Sequence, residues 1–114
     1  MNEERARDLL ARERARVERG LAELAEREDA DELSHLDQHP GDYATELFDR
    51  ELAEGVIEQL REELAAIERA ERRLDEGTYG RSVVSGKPIP DERLEAIPWA
   101  ERTAEEQEAY ERAR

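Results

Sequence analysis

Leu10, Val17, Leu21 and Leu24 recur at steps of seven, four and three along an otherwise charged segment, with Ala6, Leu9 and Ala25 beside them. That is the stripe of an amphipathic helix, in which residues three and four apart share a face. It predicts a first helix over residues 3–30, about 42 Å long at 1.5 Å per residue. Arg14 interrupts the stripe, and Gly20 costs about 1 kcal/mol relative to alanine. Ala53, Ile57, Leu60, Leu64, Ile67 and Leu74 repeat at three- and four-residue steps and predict a second, stronger helix over 43–75, about 50 Å long. Glu71 takes the seam position between Ile67 and Leu74, where an arginine of the other helix such as Arg14 is the expected partner. Gly77 follows as a stop signal.

Between the two stripes the pattern breaks. Residues 29–41, DADELSHLDQHPG, carry aspartates and Pro40, and predict irregular or short helical structure. Asp42 is placed as the N-cap of the second helix. Two helices joined at a short break fold back as an antiparallel hairpin, which sets residues 39–45, HPGDYAT, at an exposed tip. Tyr43, Leu47 and Phe48 are expected to close that tip against Leu33 and Leu36 rather than stand free. After residue 76 the character changes: residues 77–102 hold three of the four prolines, three of the six glycines and the only Trp. This is a small turn-rich module, and residues 103–114 return to a short acidic helix. The expected division is a coiled-coil hairpin over 1–76 and the module with its C-terminal helix over 77–114.

Composition narrows the function. Of 114 residues, 44% are charged and the net charge is -14. Such a chain is repelled by nucleic acid phosphates and anionic membranes, so direct DNA or membrane binding is disfavoured and a basic protein groove is the better partner. The absence of cysteine excludes disulfides and thiolate metal sites. No 18-residue apolar run is present and the opening MNEERARD does not read as a signal peptide, so the cytoplasm is the expected location. An enzyme is not expected: there is no cysteine nucleophile, no phosphate-binding glycine loop and no core large enough for a usual pocket. His35 and His39 are four apart, a metal-binding spacing on a continuous helix, but Pro40 and the nearby aspartates argue for surface histidines. No cofactor is expected.

The turn-rich module has a specific skeleton: Tyr79, Gly80, Gly86, Ile89, Arg93, Leu94, Ala96, Pro98 and Ala100. In that register it resembles the finger of the DksA/TraR family, regulators built from a coiled-coil hairpin and a four-cysteine zinc finger. The tip run Glu32–Glu51 looks most like the YteA/YocK branch. The family's four cysteine positions fall here on Ser82, Ser85, Thr103 and Glu106, with their spacing kept and every cysteine replaced. Three hydroxyls and a carboxylate are a poor zinc set, so no metal is expected. Packing of Tyr79, Val83 or Val84, Ile89, Leu94, Ile97 and Trp99 must then replace it, helped by hydrogen bonds among Ser82, Ser85 and Thr103. The resemblance implies a mostly α fold: a long antiparallel two-helix coiled-coil hairpin, a small degenerate zinc-finger-like module and a short C-terminal helix. It further implies a transcription regulator that binds RNA polymerase through the secondary channel. Asp42 and Ala44 would match the family's D-x-A tip, with Tyr43 and Thr45 beside them. The alternative is a structural or stress-related interaction protein that keeps the fold without polymerase binding. In either case the helical seam could recruit a second copy into a homo-oligomer.

Overall fold

A computed structural model describes the backbone of residues 1–34 and 40–114, and the side chains of residues 1–27 and 44–114. Four helices follow one another: α1 (Glu3–Ser34), α2 (Pro40–Glu76), α3 (Asp91–Ala96) and α4 (Ala104–Ala113). Among the described residues β-structure is limited to one antiparallel bridge, Arg81 with Pro88. The chain is mostly helical and its first two helices form a hairpin, as the apolar stripes imply. It groups into two compact units, Met1–Arg14 with Ala65–Arg114, and Ala15–Leu64.

In the first unit, α1 and α2 run antiparallel. Arg7 pairs with Asp75 at 3.0 Å and Arg14 with Glu71 at 2.5 Å, so rising numbers on one helix meet falling numbers on the other. The Arg14–Glu71 pair supplies the expected answer to both interruptions of the apolar stripes. Ala6, Leu10, Ala66, Ile67, Ala70 and Leu74 are buried. Alanine recurs at buried positions because its small side chain lets helix backbones come close. α2 ends in a Schellman turn: the Thr78 amide donates to the Arg73 carbonyl (2.9 Å) and the Gly77 amide to the Leu74 carbonyl (3.3 Å). Gly77 adopts φ +79°, which a Cβ would disfavour.

In the second unit the helices are again antiparallel. Arg16 meets Glu63 at 2.9 Å. Val17 is fully buried, and Leu21, Leu24, Ala53, Ile57, Leu60 and Leu64 are partly buried. Gly20, a weak point by helix propensity, has a packing reason: a Cβ built there would lie 3.1 Å from Leu60 Cδ1.

The approach to the turn differs from expectation. α1 continues through residues 29–34 instead of ending at 30, and α2 starts at Pro40 instead of 43. Proline begins the second helix and does not merely precede it, because a first-turn amide has no intrahelical acceptor and its loss costs nothing there. Asp42 is therefore inside the first turn of α2 and is not the N-cap. The proposed packing of Leu33 and Leu36 and the reading of His35 and His39 lie outside the described residues.

Candidate functional site

Two sets of residues singled out by the sequence are placed by the fold, one on each unit. On the second unit, Asp42, Tyr43, Ala44 and Thr45 occupy consecutive positions at the start of α2, and Ala44 and Thr45 are exposed. Just beyond them is an apolar ridge. Phe48 is 61% exposed, Leu52 55% and Val56 49%, at steps of four that align them on one face, with Leu47 exposed alongside. This corrects the expectation that Leu47 and Phe48 close the tip. Two packed helices bury one stripe each, and on α2 that stripe runs through Ala53, Ile57 and Leu60. Phe48, Leu52 and Val56 belong to a different face. Asp49 and Glu51, both exposed, border the ridge.

On the first unit, the turn-rich module is folded around a small core of Ile89, Leu94 and Ala100, with Met1, Tyr79 and Ile97 packed against it. Val83 or Val84 was expected in that core. They are instead 53% and 65% exposed, because they occupy the outer corner of a tight turn. Within it the Gly86 amide donates to the Ser82 carbonyl (2.9 Å) and the Ser82 amide to the Lys87 carbonyl (2.8 Å). Gly86 sits at φ +73° and Gly80 at φ +84°, so the two skeleton glycines occupy left-handed positions. Tyr79 donates its phenol to the Pro98 carbonyl at 2.8 Å, and burial pushes that phenol up to about 12.

Glu101 ties the module to α2 within the same unit. Its carboxylate accepts from Arg69 Nε (2.6 Å) and Nη2 (3.3 Å) and from Arg73 Nη1 (3.1 Å). Its carbonyl accepts from the Val83 amide at 2.9 Å. Burial acts to raise the Glu101 carboxyl, but Arg69 and then Arg73 hold it below the ordinary carboxylate range. Sequence reasoning missed this residue, because one glutamate among 32 acidic residues carries no local signal.

The four former ligand positions form two local hydrogen-bonded pairs. Ser82 is buried, and its Oγ accepts from the amides of Val84 (3.0 Å) and Ser85 (3.2 Å). Ser85 Oγ accepts from the Lys87 amide at 3.3 Å. Thr103 is the N-cap of α4 in a full capping box with Glu106. The Glu106 amide donates to Thr103 Oγ1 (3.2 Å) and the Thr103 amide to Glu106 Oε1 (2.9 Å). The polar surroundings of the Glu106 carboxylate, the Ser82 hydroxyl first and then the Thr103 amide, lower it to about 2. Of the expected contacts among Ser82, Ser85 and Thr103, only the bond between Ser82 and Ser85 is present, and Thr103 pairs instead with Glu106, which had been read only as a lost ligand. The signal that could have found it is T-x-x-E before a helix, the capping-box pattern.

This donor set does not fit zinc. A structural zinc site takes thiolate or imidazole ligands, and here three of four positions are neutral hydroxyls whose oxygens already accept backbone amides. Among the described residues no cluster of three or more His, Cys, Asp or Glu could hold a metal ion. None of the described helices is long and apolar enough to cross a membrane.

Residues 77–112 match the model of the prokaryotic dksA/traR C4-type zinc finger. YteA of Bacillus subtilis strain 168 is 51% identical over 74 residues, 65% of this chain and 31% of YteA. The RNA polymerase-binding transcription factor DksA of Caulobacter vibrioides is 35% identical over 92 residues, 75% of this chain and 65% of that protein. The chain thus spans about a third to two thirds of the relatives it matches. The structure of transcription factor DksA2 from Pseudomonas aeruginosa superposes with a TM-score of 0.72 at 30% identity, covering 97% of this chain and 84% of that one.

Proposed function

The chain belongs to the DksA/TraR family, and from that premise we propose that it regulates transcription by binding RNA polymerase, entering the secondary channel with the end of the hairpin that carries Asp42 and Ala44. The observation that carries the reading is the surface of α2 just beyond those residues. An apolar ridge of Phe48, Leu52 and Val56 stands exposed between acidic neighbours. An exposed apolar stripe with a charged border is the usual look of a protein-binding face. Its acidity, within a net charge of -14, fits a basic groove in a protein and disfavours a direct grip on DNA. The reading assigns no catalysis to the chain. Asp42 acts at the inserted end as a carboxylate delivered into the channel, and Ala44 and Thr45 form the small, exposed surface beside it.

The test is transcription in vitro from a set of promoters with purified polymerase. Asp42→Asn and Ala44→Thr, which leave the helix and the finger in place, are expected to remove the effect of the protein on output. Unchanged output with both variants would refute the tip mechanism. The loss of all four finger cysteines favours a second reading, an interaction protein that has kept the fold and not the polymerase contact. That reading predicts no effect of the wild-type protein on output at any promoter.

A further inference from the structure

The described surface carries two exposed apolar features of opposite charge, one on each unit. The first is the ridge of Phe48, Leu52 and Val56. Residues 44–58, which contain it, hold five carboxylates and one arginine, a net charge of -4. The second is the Ser82–Ser85 turn, whose outer corner is Val83 and Val84. Residues 77–90, which contain it, hold Arg81 and Lys87 and no acidic residue, a net charge of +2 in a chain of -14. We propose that the turn of one copy docks on the ridge of a second copy, so that the chain self-associates head to tail through these two surfaces.

The turn is built to present its corner. Turn corners usually take Gly, Asn, Asp, Ser or Pro, yet here two adjacent β-branched residues leave more than half of their surface to solvent. The backbone beneath them is fixed. Ser82 Oγ accepts from the Val84 and Ser85 amides, and the Ser82 amide and carbonyl pair with Lys87 and Gly86. Covering a corner already held this way costs little conformational freedom. Arg81 and Lys87 are exposed on the two arms of the turn, and among the described residues neither forms an ion pair.

The ridge offers the complement. Asp49 is three residues before Leu52 and Glu51 three after Phe48, so the two carboxylates flank the apolar side chains. Gly55, three residues on from Leu52, has nothing within 4 Å of a Cβ built on it. It leaves a notch beside the ridge in which an apolar side chain of the turn seats. Two chains of -14 repel one another at a distance. At physiological ionic strength the Debye length is about 8 Å, so that repulsion is damped and the charges facing across the contact decide the outcome. Ridge against ridge would set the carboxylates of both copies together, whereas the turn sets Arg81 and Lys87 against them. Every copy carries both halves of this contact, as a heterologous interface requires. The contact is small beside the roughly 1,200 Å² of a stable interface, so the association is weak. Where polymerase also binds the ridge, it and the second copy compete for one surface.

The test is sedimentation equilibrium of the full chain from about 10 to 500 µM, a range set by the small interface. Wild type is expected to rise above the monomer mass across it. Arg81→Glu with Lys87→Glu reverses the turn, and Asp49→Lys with Glu51→Lys reverses the ridge. Each double variant alone sets like charges against each other and is expected to stay monomeric. An equimolar mixture of the two restores opposite charges at both contacts and is expected to recover the association. Val84→Ser, a change of one exposed side chain, is expected to weaken association about fivefold with an unchanged thermal melt. A monomeric wild type, a mixture of folded variants that does not associate, or Val84→Ser without effect would overturn the proposal. Loss of association on reversing the ridge but not the turn would also overturn it, in favour of ridge-to-ridge pairing. Polymerase is absent from this experiment, so its outcome is separate from that of the promoter test.

Discussion

Removing the charge of Glu101 should weaken the first unit far more than removing any exposed carboxylate. Glu101 is 15% exposed and its partner Arg73 13%, whereas Arg69 is 45% exposed. The substitution Glu101→Gln keeps the shape and one acceptor oxygen, but removes the negative charge that pairs with two arginines and leaves the Arg73 guanidinium without a counter-charge in a poorly solvated site. That guanidinium already has its Nη2 buried without a partner. The bond from Arg73 is worth about 1.5–3 kcal/mol, and the half-exposed Arg69 pair adds under about 1 kcal/mol. A loss of about 2–3 kcal/mol follows, which for a chain of this size lowers the midpoint of thermal unfolding by roughly 10 °C. The control is Glu108→Gln. Its pair with Arg112 is 3.8 Å long and some 70% exposed at both ends, and should cost less than about 0.5 kcal/mol. Urea titrations of both variants, with Arg73→Met completing a double-mutant cycle, measure these quantities directly. Coupling between Glu101 and Arg73 should be about 2 kcal/mol. A Glu101→Gln cost no larger than that of Glu108→Gln, with coupling near zero, would refute the claim that this carboxylate joins the module to α2.

Stability should also depend on acid in a defined way. The Glu106 carboxyl is lowered from 4.5 to about 2 in the fold, so its contribution is complete above the unfolded value and lost as pH falls from 4.5 toward 2. The difference in stability between wild type and Glu106→Gln should be flat from about pH 5 to 8 and shrink below that range; a difference that grows on acidification would contradict the role of the ionised carboxylate in the capping box. Helix propensity gives a prediction of opposite sign. Gly55→Ala should raise stability by about 0.5–1 kcal/mol, since nothing lies within 4 Å of its added Cβ. Gly20→Ala should raise it less, because its Cβ meets Leu60 at 3.1 Å, and thermal melts by circular dichroism will rank the two.

Much of the fold was legible because long-range order and local pattern agree in a hairpin. The stripe through Leu10 and Val17 and the stripe through Ile57 to Leu74 locate the buried seam, and even the misfit pair Arg14 and Glu71 find each other. The ends were less legible. Pro40 reads equally well as a breaker or as a first-turn residue, and only the fold assigns it to the start of α2. Val83 and Val84 illustrate a different limit. Hydrophobicity alone places them inside, but the turn geometry fixed by Ser82 and Gly86 turns them outward. At the finger, the skeleton of glycines and prolines was readable and the missing cysteines were plain. What replaced them was harder to see, because a capping box and a zinc knuckle share one spacing. The exposed ridge of Phe48, Leu52 and Val56 follows from counting faces: a two-helix seam buries one stripe, and α2 carries two.

The most direct test of the account is binding of the fluorescently labelled full chain to purified RNA polymerase core enzyme at low and high salt, for wild type, Asp42→Asn and the ridge variant Phe48→Ser with Leu52→Ser. The account predicts micromolar or tighter binding by wild type that weakens as salt rises. Asp42→Asn and the ridge variant should each weaken it, the ridge variant without lowering thermal stability, since its side chains are exposed. Absence of wild-type binding at both salts, or wild-type affinity in both variants, would contradict it.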